Sequence, residues 1–343
     1  MSASGTISEH LLDWYRSHAR SLPWRAPPGT PAPEPYRVWL SEVMLQQTTV
    51  AAVIPYYAKF LQLWPTVRDL AAAPEAEVMA AWAGLGYYSR ARNLVACARA
   101  VAELGAFPDT EDRLRALPGL GAYTAAAVAA IAFGRRAVVV DANVERVVAR
   151  LFAIAEPLPG GKAAIRAAAD AITPAADAGD FAQAMMDLGT AICTPRDPKC
   201  LLCPLSADCA GRASGDPARF PAKAPKKPKP ERVGTAFWIE RGGQVWLVTR
   251  PPSGMLGGMR ALPDDGWSAR GDGSGEAPLA GEWREAGAIR HSFTHFYLTL
   301  RVWAAEGEPE GEGEWWPVED IENAGLPTVF LKAARLGLNF FSR

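Results

Sequence analysis

Three groups of side chains in this sequence have the types and spacing to do chemistry. Four of the five cysteines, Cys193, Cys200, Cys203 and Cys209, form a C-x6-C-x2-C-x5-C run. Four thiolates suit either tetrahedral zinc or a cubane 4Fe-4S cluster. Structural zinc sites pair cysteines two to four residues apart in two knuckles, and here only Cys200 and Cys203 have that spacing. The uneven run therefore favours an iron–sulfur cluster. Arg196 and Lys199, between the first two cysteines, are placed to meet a phosphate; the plainer alternative is a pair of solvated surface charges. Cys97 lies in an alanine-rich helical run and is expected to be a core residue.

The second group is a pair of carboxylates. Glu42 sits within Val38-Trp-Leu-Ser-Glu-Val-Met-Leu-Gln-Gln-Thr48, an acid among apolar neighbours. Such a setting raises a carboxyl pKa, as a general acid requires. Taken alone, the same glutamate could be a partly exposed helical residue. Asp141 directly precedes a helical segment, where an aspartate commonly caps the helix, yet that position also points the carboxylate out of the helix end. One protonated and one ionised carboxyl are what glycosidic bond cleavage asks for: a proton for the leaving group and a counter-charge for the sugar.

The third group is the turn Leu117-Pro-Gly-Leu-Gly-Ala-Tyr-Thr-Ala125, which opens a helix. Gly119 and Gly121 allow a sharp turn and close approach of another molecule. The helix start then offers free N–H groups to a phosphate without net positive charge. Such a contact positions a nucleic acid but reads no sequence.

The elements that must carry these groups fall into two kinds. From about residue 7 to 213 the pattern is helical and alanine-rich, without strand alternation. Val144, Val147, Val148 and Leu151 make one apolar face behind Asp141. Residues 215–232 are rich in proline and lysine and are expected to be an exposed linker. Beyond it, GTAFWIE, RGG and QVWLVTR suggest strand, turn and strand, and 291–304 suggests one further strand. The expected division is a helical region at 1–214, the linker, and an α+β region at 233–343.

The formal charge is -1, and residues 1–214 carry 20 basic and 20 acidic side chains. Any contact with nucleic acid must therefore be local and not the work of a global field. No apolar run approaches the ~18 residues of a membrane helix, and the first residues lack the order of a signal peptide. A cytoplasmic, nucleoid-associated protein without a membrane partner is expected.

Taken in order, LPWR (22–25), YRVWLSEVMLQQT (36–48), GLGYYSRARNL (84–94), LPGLGAYTA, VDANVERV (140–147), AMMDLG (184–189) and the four cysteines resemble the MutY family of DNA glycosylases. The resemblance implies a helix-hairpin-helix glycosylase fold with a 4Fe-4S loop. It implies removal of adenine mispaired with 8-oxoguanine, or guanine, in double-stranded DNA, by a monomer. Glu42 would protonate adenine at N7, Asp141 would stabilise the oxocarbenium-like sugar, and Asn143 would support them. Arg20, Trp24, Leu45, Tyr123 and Asp187 would line the pocket for the flipped adenine, since the bond is unreachable inside the stack. Gln47 and Tyr87 would enter the opened duplex near the oxidised guanine. For Trp24 and Tyr87, ordinary core packing is an equal alternative.

One position separates relatives. Endonuclease III-type enzymes carry a lysine nucleophile four residues after the first hairpin glycine, and here that residue is Tyr123. Without the amine no Schiff base forms there, so strand cleavage is not expected as a main activity. A pyrimidine-lesion glycosylase/lyase and a non-catalytic lesion-binding protein are the competing readings. Residues 233–343 resemble the Nudix-like domain of MutY proteins, through 250–263 and HSFTHF (291–296). No glutamate cluster for magnesium follows Pro263, so this region is expected to bind and not to hydrolyse. Phe293, Thr294 and His295 stand where the family has Phe-Ser-His and would contact 8-oxoguanine. For His295 a plain strand position is the alternative. The eight acids and no base from Glu306 to Glu322 suggest a solvent-facing loop.

Overall fold

The computed structural model describes residues 3–222, 224, 228–251 and 254–341. The chain divides into two compact units, Met1–Pro225 and Lys226–Arg343. The first is helical and has no strand among its described residues. Its central helix, Ala122–Phe133, is apolar on every side, and a helix of that kind must be surrounded. Ala125 through Ala130 are accordingly buried. Small residues let neighbouring helices close on it. A side chain on Gly179, in the Ala178–Ala191 helix, would lie 2.6 Å from the Ala130 carbonyl oxygen.

Two further helices carry the carboxylates. Pro35–Leu45 begins with proline in its first turn, where the ring costs no hydrogen bond. Ala142–Leu151 begins at Asp141, which caps it as the sequence suggests, and its apolar face of Val144, Val147, Val148 and Leu151 is buried. Cys97 is fully buried in the same core.

The 215–232 segment differs from the expected exposed linker. Pro217–Arg219 form a short 3-10 turn, Phe220 is buried in the helical core, and Glu231 already begins a strand. The single aromatic ring in the segment, Phe220, supplies the apolar area that fixes this stretch. Residues 223 and 225–227 of the segment lie outside those described.

The second unit is a mixed sheet: β1 (Glu231–Arg241), β2 (Gln244–Thr249), β3 (Arg260–Ala261), β4 (Arg284–Ser292), β5 (Tyr297–Glu306) and β6 (Glu314–Pro317). Its order is β3-β2-β1-β5-β4, with β6 paired to β2. Gly242 and Gly243 both take positive φ, giving the tight β1–β2 turn that the RGG run suggests. The parallel pairing of β1 with β5 runs from Glu231↔Tyr297 to Glu240↔Glu306. The run 291–304 is not one strand. Phe293 donates its N–H to the Phe296 carbonyl at 2.9 Å, and the two rings stack at 4.7 Å, so the chain reverses there between β4 and β5. Apolar alternation continues through the reversal and hides it from the sequence. The helix Thr328–Phe341 covers the sheet.

Because the neighbour at Gly179 is backbone and not a flexible side chain, Gly179→Ala should lower stability by about 1–3 kcal/mol. Chemical denaturation followed by circular dichroism checks this, and an unchanged midpoint would contradict the close packing described.

Candidate active site

A cavity of about 900 Å³ opens in the helical unit, and Glu42, Tyr123, Asp141 and Asn143 stand on its wall. Glu42 comes from the Pro35–Leu45 helix and is 7% exposed. Burial raises its pKa from 4.5 to about 7; the Tyr123 hydrogen bond and the Arg25 charge oppose the rise, and the Asp141 charge adds to it. The Tyr123 hydroxyl donates to Glu42 Oε2 at 2.7 Å. Burial first, and then the nearby Glu42 charge, hold the Tyr123 phenol well above its ordinary pKa, so it stays a donor.

Asp141 is fixed from the other side. Its Oδ1 accepts from the N–H groups of Asn143 at 2.9 Å and Val144 at 2.7 Å. Its Oδ2 accepts from Asn143 Nδ2 at 2.9 Å. Capping and presentation are thus the same geometry, as the helix end turns the carboxylate toward the cavity. Asn143 Oδ1 in turn accepts from Arg146 Nη2 at 2.9 Å, and Arg146 Nε donates to the Cys193 carbonyl at 2.8 Å. One chain of hydrogen bonds therefore joins Asp141 to the cysteine loop.

Arg20, Trp24 and Leu45 also line the cavity. Trp24 does so while packing edge-on against Tyr57 at 5.3 Å, so the wall and core readings both hold for it. Asp187 is placed differently from expectation. It is 1% exposed and stands behind the wall, pairing Arg20 Nε at 2.6 Å and Arg25 Nη1 at 2.7 Å. Both carboxylate oxygens are taken up by guanidinium groups, so Asp187 anchors the arginines and does not face the cavity. Arg25 carried no role in the sequence reading, although it lies in the LPWR run.

Gln47 lines the cavity, and Tyr87 lies outside it, 51% exposed. Both have positive φ, 57° and 50°, a conformation that costs a non-glycine residue roughly 1–3 kcal/mol. Such strain is concentrated at functional loops. Gly119 also has positive φ, and a side chain there would meet Asn93 Cβ at 2.6 Å. Gly121 is the N-cap of the Ala122–Phe133 helix, without a side-chain cap and with open space above it.

The four cysteines occupy one locality. Burial raises the Cys203 thiol to about 11, and the charges of Cys193, Cys209 and Cys200 each add to it. Among the described residues, no three ligand side chains stand as a single metal ion would need. The surroundings nevertheless suit thiolates. Arg150 is 2% exposed, and its Nη1 donates to Cys193 Sγ at 3.3 Å. The Arg212 N–H donates to Cys209 Sγ at 3.4 Å. Arg150 also donates to the carbonyls of Cys193, Thr194, Pro195 and Phe220, which fixes the loop. A buried guanidinium beside sulfur fits an anionic cluster better than neutral thiols. Arg196 and Lys199 are exposed on that loop. Arg146 and Arg150 were missed by sequence reasoning; their only signal is a helical spacing of four behind Asp141.

In the second unit, Phe293, Thr294 and His295 occupy the β4–β5 turn, not a strand. Phe293 is partly buried against Phe296, while Thr294 and His295 are exposed. Between β3 and β4, residues 262–283 form no helix. Within the 250–263 motif, Pro252 and Ser253 lie outside the described residues. No helix of the described chain is long and apolar enough to cross a membrane.

Known proteins resemble both units. Residues 40–172 match the HhH-GPD superfamily base excision DNA repair protein model, and residues 235–336 match the NUDIX domain model. The human adenine DNA glycosylase is 36% identical over 398 residues, spanning 95% of this chain and 73% of that protein. The adenine DNA glycosylase of Mycolicibacterium smegmatis is 43% identical over 210 residues, spanning 61% of this chain and 70% of its own. A thermostable thymine-DNA glycosylase matches 62% of this chain and 97% of its own, with a TM-score of 0.54 and 31% identity. With a two-carboxylate cavity on a helix-hairpin-helix frame, a Nudix-type unit following in the sequence and such relatives along nearly its whole length, this chain belongs to the adenine DNA glycosylase (MutY) family.

Proposed function

We propose that this protein excises adenine paired with 8-oxoguanine, or with guanine, from duplex DNA and leaves the abasic strand uncut. The observation that carries this reading is a buried, proton-holding Glu42 sharing one cavity wall with a capped, accessible Asp141. With Tyr123 donating to Oε2, the other Glu42 oxygen is left to carry the proton toward a base in the cavity. Protonation at adenine N7 lets the N-glycosidic electron pair leave with the base. The Asp141 carboxylate then faces the positive sugar, held in place by Asn143. Water adds to the sugar carbon, and its proton returns to Glu42.

Arg20, Trp24 and Leu45 form the adenine pocket in this reading, with Asp187 holding Arg20. Gln47 and Tyr87 enter the opened duplex. Gly119 and Gly121 bring the hairpin N–H groups to a phosphate, and Arg196 and Lys199 meet the backbone nearby. Phe293, Thr294 and His295 contact the 8-oxoguanine, with threonine supplying the hydroxyl donor. Cys193, Cys200, Cys203 and Cys209 hold a 4Fe-4S cluster, which supplies structure to the loop. In this reading the Nudix-type unit binds the lesion and does not hydrolyse nucleotides.

The lyase alternative needs a desolvated amine. Position 123 offers none, and Lys162, the lysine on the cavity wall, is solvent-exposed beside Glu145 at 3.9 Å. Borohydride trapping on DNA in high yield would favour the lyase instead.

Glu42→Gln should slow single-turnover adenine release from an adenine:8-oxoguanine duplex by ~100-fold or more. The wild-type rate should fall as pH rises through about 7, where Glu42 loses its proton. Normal release by Glu42→Gln would overturn the assignment of the acid. The same variant should gain stability. A carboxyl whose pKa is raised in the folded state costs stability as pH climbs from 4.5 toward about 7. Glu42→Gln should therefore exceed wild type by about 3 kcal/mol at pH 9 and match it near pH 4. Denaturant titrations at both pH values measure the difference. Cys203→Ala should abolish the visible iron–sulfur absorbance and lower the melting temperature. Purification of the wild type with stoichiometric zinc and no iron would contradict the cluster.

A further inference from the structure

Gln47 and Tyr87 lie in separate loops, about forty residues apart, yet one buried side chain grips both loops. Arg90 opens the Ser89–Leu104 helix and is 8% exposed. Its Nη1 donates to the carbonyls of Val43 at 3.1 Å and Met44 at 2.9 Å, the last turn before Gln47. Its Nη2 donates to Thr48 Oγ1 at 3.1 Å, the residue after Gln47. The same Nη2 donates to the carbonyls of Leu85 at 3.1 Å and Gly86 at 3.2 Å, the two residues before Tyr87. The guanidinium also lies 5.4 Å from the Tyr87 ring and 5.2 Å from the Trp82 ring.

Gln47 and Tyr87 are both non-glycine residues in the left-handed region. Such conformations persist only where the surroundings over-determine them. Around Tyr87 the fixing is dense: Trp82 Nε1 donates to the Gly86 carbonyl at 3.0 Å, and Tyr56 donates to the Ala83 carbonyl at 2.7 Å. Around Gln47 the non-local hydrogen bonds are those of Arg90, to Thr48 and the helix end, and that of Gln46 Nε2 to Thr124 Oγ1 at 3.1 Å. A planar guanidinium has a rigid fork, so five acceptors bound to it are held at fixed positions relative to one another. A shift of one loop is thereby transmitted to the other.

We infer that Arg90 is a positioning residue that couples Gln47 and Tyr87 into a single two-pronged probe, so that both enter the duplex together beside the base opposite the excised adenine. This rests on the function proposed above. Arg90 touches no substrate; it acts through the two loops. Lysine keeps the charge but not the fork, and cannot span five acceptors.

The test compares single-turnover adenine release from two duplexes, one with adenine opposite 8-oxoguanine and one with adenine opposite a reduced abasic site. The second lacks a partner base and is already unstacked, so insertion matters less there. Because opening a stacked pair is unfavourable, Arg90→Lys should lower the paired-to-open rate ratio ~10-fold or more. Thr48→Val, which removes one bond, should lower it less but in the same sense. Gln47→Ala should cost little more once Arg90→Lys is present. Equal loss on both duplexes would mean a merely structural role and would overturn the inference, as would an unchanged ratio. If Arg90→Lys fails to fold, an unchanged ratio in Thr48→Val overturns it by itself. Absence of release by wild type from the adenine:8-oxoguanine duplex would instead overturn the proposed function.

Discussion

The site depends on keeping one carboxyl out of water beside another that is not. Glu42 in water would be ionised and unable to donate a proton at neutral pH. Its burial, moderated by Tyr123 and Arg25, brings its pKa to about 7, where it can both give and regain a proton. Everything around it serves that burial. The Pro35–Leu45 helix presents Glu42 from one side, and the hairpin glycines place Tyr123 in reach from another. The cap of the Ala142–Leu151 helix aims Asp141 across the same space. Two carboxyls thus meet different surroundings, Glu42 among apolar side chains and Asp141 at a helix end where backbone N–H groups bind it.

Buried and half-buried arginines are the fasteners of this unit. Arg150 holds the cysteine loop by its carbonyls, Arg146 joins that loop to Asn143, and Arg25 with Arg20 occupies Asp187. Arg90 grips the two strained loops. Each guanidinium offers several donors in one plane, so a single side chain can satisfy the unpaired carbonyls of a loop that has no regular structure. This also bears on the modest charge of the chain. Part of the positive charge is spent inside on carbonyls and one aspartate, and so does not form a basic outer face.

Much of this was legible in the residues. The helical period behind Asp141, the central alanine helix and the two-residue glycine turn are local patterns with local causes, and the structure agrees with each. The cysteine run, Glu42 and the hairpin were visible as residue types at a spacing. Local reading failed where a contact was non-local. Phe220 buries itself within a segment rich in proline and lysine, and Phe293 stacks on Phe296 to reverse a seemingly continuous strand.

The sequence by itself determined the identities of the candidate carboxylates, the helices that bear them and the absence of a lysine at position 123. Only the tertiary structure decided which way they face and what holds them. Asp187 lies behind the wall because two arginines from a distant loop claim its oxygens, and Arg90 matters because two loops far apart in sequence converge on it. The physical reason is that hydrophobic periodicity and capping act over a few residues, whereas desolvation and multidentate hydrogen bonding depend on every element that packs around a group.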